Sequence, residues 1–377
     1  MINILIAADY SPKDRVADLL NKDSYEEIFE QVKTYFDNAD YTVVNLEAPI
    51  VSSPNAKPIK KAGPALKCSE KVIKSLKYLG VDCVTLANNH FRDYGEMGTL
   101  NTMKLCNEAN IDYVGAGRNL EDAKKILYKD ICNKRFAIIN CCEHEYSIAS
   151  DDYAGSNPIS PIQQYYSILE ARKNADYVIV ITHGGIEHHQ LPSPRMVELY
   201  RFFIDAGADV VVNHHQHCYS GYEIYNGKPI FYGLGNFCFD WDGKRNSIWN
   251  EGYFVTFGFE NNSITHSITA YEQCNDSPKI IPIESEKFNR FNNELTRLNS
   301  IIQNKELLDS EHLFFLNMTK NQYNIIMPYS NKYLRALCKR GYLPTFIPLS
   351  ILRSLQNKVM CESHYERFLN YIESKLK

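Results

Sequence analysis

No apolar run in this sequence approaches the roughly 18 to 20 residues that a bilayer-spanning helix needs. The opening MINILIAADY is too short and too poor in charge to read as a signal peptide. These two absences lead to the expectation of a cytoplasmic protein. The spacing CxxC is missing as well, and the eleven cysteines are scattered and odd in number, which argues against a secreted disulfide framework. Cys141 and Cys142 close the apolar run FAIINCC, where cysteine serves as a small hydrophobe. Internal repeats and extended low-complexity segments are also missing. No basic stripe interleaved with aromatics lies near the polar motifs, so nucleic acid is not an expected partner.

What is present is ordinary for a folded chain: 377 residues, 44% hydrophobic and 23% charged. That length accommodates one α/β domain of roughly 200 to 250 residues with material left over. The net charge of -4 is unevenly spread, because residues 275–377 carry more basic than acidic side chains and the remainder the reverse. A basic tail suits an acidic polymer or a membrane surface; the preferred reading is a solvated helical face.

Short apolar runs (INILIAA, YTVVNLE, VDCVTLA, RFAIINC, DYVIVIT, ADVVV) alternate with helical patterns near 25–38, 69–79, 98–109, 161–174 and 194–206. Such alternation predicts βαβ crossovers and a largely parallel sheet, and the unbroken apolar runs predict strands buried on both faces. Two hairpins follow, one turning at Asn226-Gly227 and one near Asn261-Asn262. Helical spacing resumes from about Glu284, with Phe288, Phe291, Leu295 and Leu298 on one face and proline breaks at Pro328, Pro344 and Pro348. The reading is a domain over 1–274 and a helical extension over 275–377, whose aromatics Phe314, Phe315, Tyr323 and Tyr342 are expected in its core.

The residues that follow the strands carry the chemistry. Asp9 ends the first; Asn45 and Glu47 close the second; Asn88, Asn89 and His90 follow the third. His183 follows VIVIT, with Glu187, His188 and His189 just beyond, and His214, His215 and His217 follow DVVVN. In NHHQH, alternation along an extended segment would put His215 and His217 on one side and His214 on the other. Parallel strands share one edge, so these clusters can converge in the crevice beyond it. Asp, Glu, Asn and His suit divalent Zn, Mn, Fe or similar ions, and no thiol falls among them. A pair of ions roughly 3.5 to 4 Å apart needs a bridging carboxylate, and Glu47 is the candidate. Taken singly, Asp9 reads equally as a helix cap, Asn45 and Glu47 as turn residues and His183 as a core histidine; the coincidence of five strand ends favours a shared site.

The motifs NLEAP, LANNHFRDYG, THGG.E, HHQH and YGLGNF, in that order over about residues 2–241, resemble the CapA family of capsule and poly-gamma-glutamate biosynthesis proteins, relatives of the calcineurin-like metallophosphoesterases. The resemblance implies a four-layer sandwich of two mixed β-sheets flanked by helices, with a dinuclear metal site (Mn, Zn, Fe or Mg) at the strand ends. It implies Asp9, Glu47, Asn89, His183, His215 and His217 as metal ligands, with Glu47 bridging. It implies His90 as general acid or oxyanion stabiliser, oriented by Asp93. Ser11 stands where the phosphoesterases carry a further histidine, and Glu187 or His188 are the candidates to replace it. Asn45 and Asn236 are further candidates for metal or substrate, and Arg15 and Arg92 for substrate anions. Many CapA proteins begin with a membrane anchor, not seen here, so association with polymer-synthesis machinery at the membrane would come through partners. The implied activity is hydrolysis of a phosphoester or related bond during production of an anionic surface polymer. The rival expectation is a non-catalytic accessory protein that binds such a polymer.

Overall fold

Runs such as YVIVITH and VVVNH have no polar face to turn to water, so they fold as strands with both faces covered. The computed structural model describes residues 1–261, 263–319 and 348–376, together with residues 333, 334, 337 and 342. Along it run β1 (Ile2–Tyr10), β2 (Tyr41–Leu46), β3 (Cys83–Thr85), β4 (Asp112–Val114), β5 (Ala116–Gly117), β6 (Leu127–Ile131), β7 (Lys134–Cys142) and β8 (Gly155–Ser156). They are followed by β9 (Tyr177–His183), β10 (Val210–His214), β11 (Tyr222–Tyr225), β12 (Lys228–Phe231), β13 (Asn236–Cys238), β14 (Glu251–Glu260), β15 (Ser263–Gln273) and β16 (Ile280–Pro282).

Two mixed sheets result. The first has the order β16-β15-β14-β1-β2-β3-β4, with β13 beside the end of β1. The second has the order β11-β12-β10-β9-β7-β6, and β5 and β8 form a small ribbon. Strands β1 to β4 are parallel, as are β7, β9, β10 and β12. Antiparallel pairs flank these parallel cores, at β1-β14-β15-β16, β6-β7 and β11-β12, and the β5-β8 ribbon is antiparallel too.

Alternation along β14 assembles the layers. Phe257 meets Phe231 of the second sheet at 5.5 Å and Phe259 meets Phe136 at 5.0 Å between ring centres. Phe254, on the opposite face, meets Phe36 of the helix Tyr25–Asp37 at 5.9 Å. The second sheet is covered in turn by the helix Pro194–Asp205, whose Tyr200 stacks on Tyr232. The architecture is therefore two mixed sheets face to face with helices outside, as expected. No described helix is long and apolar enough to cross a membrane, and the ten described cysteines are free.

The hairpin at Asn226-Gly227 has both residues left-handed, as its tight turn demands. In the second hairpin Asn261 is left-handed and Asn262 lies outside the described residues. The first sheet continues through β16, past the expected boundary near 275. Helices follow at Ser285–Gln303, Lys305–Thr319, Leu349–Met360 and Glu362–Leu376. Here the expected aromatic core is corrected. Phe288, Phe314 and Tyr342 are exposed, because Phe291 and Leu295 in one helix and Leu308 and Leu316 in the next form the inward stripe. Phe314, two residues before Leu316, falls on the far side of a 3.6-residue turn. Tyr323, Pro328 and Pro344 lie outside the described residues, while Pro348 directly precedes a helix.

Candidate metal centre

Parallel pairing fixes which side chains reach the common edge. In the first sheet Asp9 is in register with Asn45 on one side and Asn236 on the other, and Asn45 is in register with Thr85. In the second, Cys142, His183 and His214 are in register. An irregularity between Ala7 and Asp9 in the β1-β2 pairing marks the place where β1 reaches this edge. Glu47 sits one residue past β2, held by a bond from its N–H to the carbonyl of Tyr10. His215 and His217 do not alternate along an extended segment as expected. The strand ends at His214, and both histidines adopt left-handed backbone, φ 97° and 55°. Strain of this kind in non-glycine residues is kept where surrounding contacts enforce it.

The result is two buried triads sharing one carboxylate: Asp9, Glu47 and His217, and Glu47, His183 and His215, with the ligand atoms of each triad within 4.8 Å of one another. Glu47 Oε1 lies 3.5 Å from His183 Nε2 and 3.8 Å from His217 Nε2. Asp9 Oδ2 lies 3.6 Å from His217 Nδ1 and accepts the His215 N–H. Asn89 reaches the cluster too, its Oδ1 3.1 Å from His183 Nε2. Both oxygens of Glu47 are buried without a hydrogen-bond partner. A buried carboxylate in that condition is costly unless a cation answers it, so the residues present fit divalent-cation binding around Glu47.

The electrostatics agree. Burial lifts Asp9 to about 7, and burial together with the nearby Asp9 holds Glu47 well above the usual carboxylate range. Burial lowers His217 to about 3, and burial with the neighbouring imidazoles holds His183 well below its ordinary value, leaving imidazole lone pairs for ligation. Metal uptake must then displace carboxylate protons. Mn²⁺ affinity is expected to strengthen as pH rises through about 7, with proton release visible by titration calorimetry in buffers of different ionisation enthalpy. An affinity independent of pH between 6 and 8 would contradict this.

Beside the triads His90 Nδ1 bonds Asp93 Oδ2 at 2.6 Å, and Asp93 also accepts the Leu66 N–H. Lys61, buried and ion-paired to Asp93, lies 3.1 Å from His90 Nδ1. Sequence reading missed it, because it sits in an irregular loop with no local signal. The remaining candidates separate. Asn45 donates to Asp9 at 2.7 Å, and Asn236 Oδ1 lies 2.9 Å from His217 Nδ1, so each orients a residue of the triads. Glu187 and His188 join neither triad; His188 Nε2 lies 3.1 Å from Lys244 Nζ. Arg15 is committed to a fork with Asp240 and to the carbonyls of Cys274, Asn275 and Asp276. Arg92 bonds the Ala154 carbonyl and lies over Tyr153.

A cavity of about 440 Å³ opens beside the cluster. His215, Glu187 and His188 bound it on the core side, and Lys358, His364 and Arg367 of the C-terminal helices on the other. These last three were not anticipated, since nothing in a solvated helical pattern marks which face will meet a distant sheet edge.

Residues 3–241 match the family model described as bacterial capsule synthesis protein PGA_cap. The chain is similar to the capsule biosynthesis protein CapA of Bacillus anthracis, 35% identical over 247 residues that cover 63% of this chain and 60% of that protein. It is 37% identical over 227 residues to the PGA biosynthesis protein CapA of Bacillus subtilis (strain 168), covering 59% and 60% of the two chains. A probable polyglutamine synthesis accessory protein of Mycobacterium tuberculosis is 28% identical over 220 residues, 54% of this chain and 57% of its own. The matches thus span about 60% of these relatives' length. Among solved structures, the 5'-nucleotidase precursor from Thermus thermophilus is similar with a TM-score of 0.41 at 12% identity, covering 77% of this chain and 57% of that one.

Proposed function

The chain belongs to the PGA_cap family of bacterial capsule synthesis proteins, and from that premise we propose that it is a metal-dependent hydrolase of a phosphoester or related bond, acting in the production of an anionic surface polymer such as poly-gamma-glutamate. One observation carries the reading: two buried triads share Glu47, whose two oxygens find no other partner. When bound, the ions would polarise the electrophile and bring the pKa of a water towards neutrality.

The protein's own groups would do the rest. Asp93 holds the His90 ring by its Nδ1, which leaves Nε2 to meet the leaving group; only the imidazolium form would carry a proton there to give up, a form that burial and Lys61 oppose and Asp93 favours. Lys61 forms an ion pair with Asp93 beside His90. Lys358 and Arg367 line the cavity where an anionic substrate would extend from His215.

The test is turnover of an aryl phosphate by Mn²⁺-loaded protein, compared with the Lys358→Ala/Arg367→Ala double variant. Turnover is expected, with KM raised roughly tenfold, about 1.4 kcal/mol, in the double variant and metal content unchanged. A second reading draws support from Ser11, buried where a ligand histidine would stand: a polymer-binding accessory without catalysis. Salt-sensitive binding of poly-gamma-glutamate with no turnover of phosphoesters by the loaded protein would select it.

A further inference from the structure

A second cluster of metal-ligating groups lies away from Asp9 and Glu47, at the seam where the C-terminal helices dock. Cys361 links the helices Leu349–Met360 and Glu362–Leu376, and is 1% exposed. His364 follows three residues later in CESH, a spacing that returns to the same side of a helical turn. Glu145, from the loop after β7, completes the set. One ligand atom from each of Glu145, Cys361 and His364 lies within 4.8 Å of the others.

Acidic side chains crowd this seam. Glu143 pairs with Arg195, which also pairs with Glu366, and Glu362 pairs with His144 at 2.6 Å. Glu145 takes a hydrogen bond from the Asn357 side chain and feels the Lys61 charge, and burial is the largest influence on its carboxyl, raising it. Cys361 Sγ has a weak contact with Glu143 Oε2 at 3.6 Å. Three carboxylates thus gather near a buried thiol, with Arg195 already shared by two partners.

We propose that Glu145, Cys361 and His364 bind a third divalent ion, thiophilic and of the zinc class, that fastens the C-terminal helices to the core. One oxygen, one sulfur and one nitrogen ligand form a three-ligand set that zinc accepts, with a fourth position for water. On binding, the Cys361 thiol proton passes to solvent and the metal–sulfur bond forms. The ion would hold in place the segment bearing Lys358 and Arg367. Cys361-x-x-His364 alone is too common a spacing to signal this; the partner Glu145 lies far away along the sequence, in the loop after β7.

The test does not depend on hydrolysis, because among the described residues the Asp9 and Glu47 triads contain no thiol. Full-length protein is saturated with Co²⁺ and its absorption and metal content are recorded. The wild type is expected to show a near-ultraviolet thiolate-to-cobalt band. Cys361→Ser should lose that band and one ion per chain while keeping the ions bound at Asp9 and Glu47. Glu145→Gln, which leaves the thiol and the packing in place, should weaken cobalt affinity at the thiolate site at least tenfold. No band in the saturated wild type, a band that survives in Cys361→Ser, or unchanged affinity in Glu145→Gln overturns the proposal.

Discussion

Glu47→Gln is expected to remove both ions of the proposed dinuclear centre together, whereas Asp9→Asn or His183→Ala should weaken chiefly the ion of its own triad. The reason is that Glu47 belongs to both triads while Asp9 and His183 each belong to one. Elemental mass spectrometry after dialysis against trace Mn²⁺ distinguishes these outcomes. Stability should change sign with metal. In the metal-free protein the substitution removes a fully buried carboxylate that has no hydrogen bond and crowds Asp9, so melting should be unchanged or higher. In excess Mn²⁺ the wild type should gain about 2.7 kcal/mol for each ion present at one hundred times its Kd, and the variant should gain little. A variant that keeps one ion at wild-type affinity would confine Glu47 to a single triad and sink the bridging role.

His90→Ala is expected to lower kcat by ~10²- to 10⁴-fold, the range for loss of a positioned proton donor, with both ions retained because His90 belongs to neither triad. Single-turnover kinetics on Mn²⁺-loaded protein, with metal content measured in parallel, separates loss of chemistry from loss of metal. Asp93→Asn should affect turnover less and stability more. Asp93 is fully buried and answers both His90 and the buried Lys61, so its replacement leaves a cation without its partner, at a cost of about 3 to 5 kcal/mol. Unchanged kcat in His90→Ala would remove the imidazole from the reaction.

Much of this was legible in the chain. Strand runs such as DYVIVIT and ADVVV are apolar on both faces, and parallel strands buried in that way must end on a common edge. The strand-end clusters at Asp9, Asn45 and Glu47, Asn88 to His90, His183, and His214 to His217 could therefore be read as neighbours although they lie far apart in sequence. The spacing of Phe288, Phe291, Leu295 and Leu298 likewise announced a helix, of which the last three face inward while Phe288 is exposed. Local pattern carries this information because burial of one face repeats every two or 3.6 residues whatever lies opposite.

What lies opposite was decided only by the packing of the two sheets and the return of the C-terminal helices. That packing made Glu47 common to two triads, set Lys61 from an irregular loop against Asp93, and tied Arg15 to Asp240. It exposed Phe314 while burying Leu316, and it brought Lys358, Arg367, Cys361 and His364 to the edge of the core. The sequence by itself determined which residues would stand at strand ends and which strands would be buried on both faces. Only the tertiary structure decided which charges meet, since the partner of a buried charge is selected by distance in space, and that distance has no period along the chain.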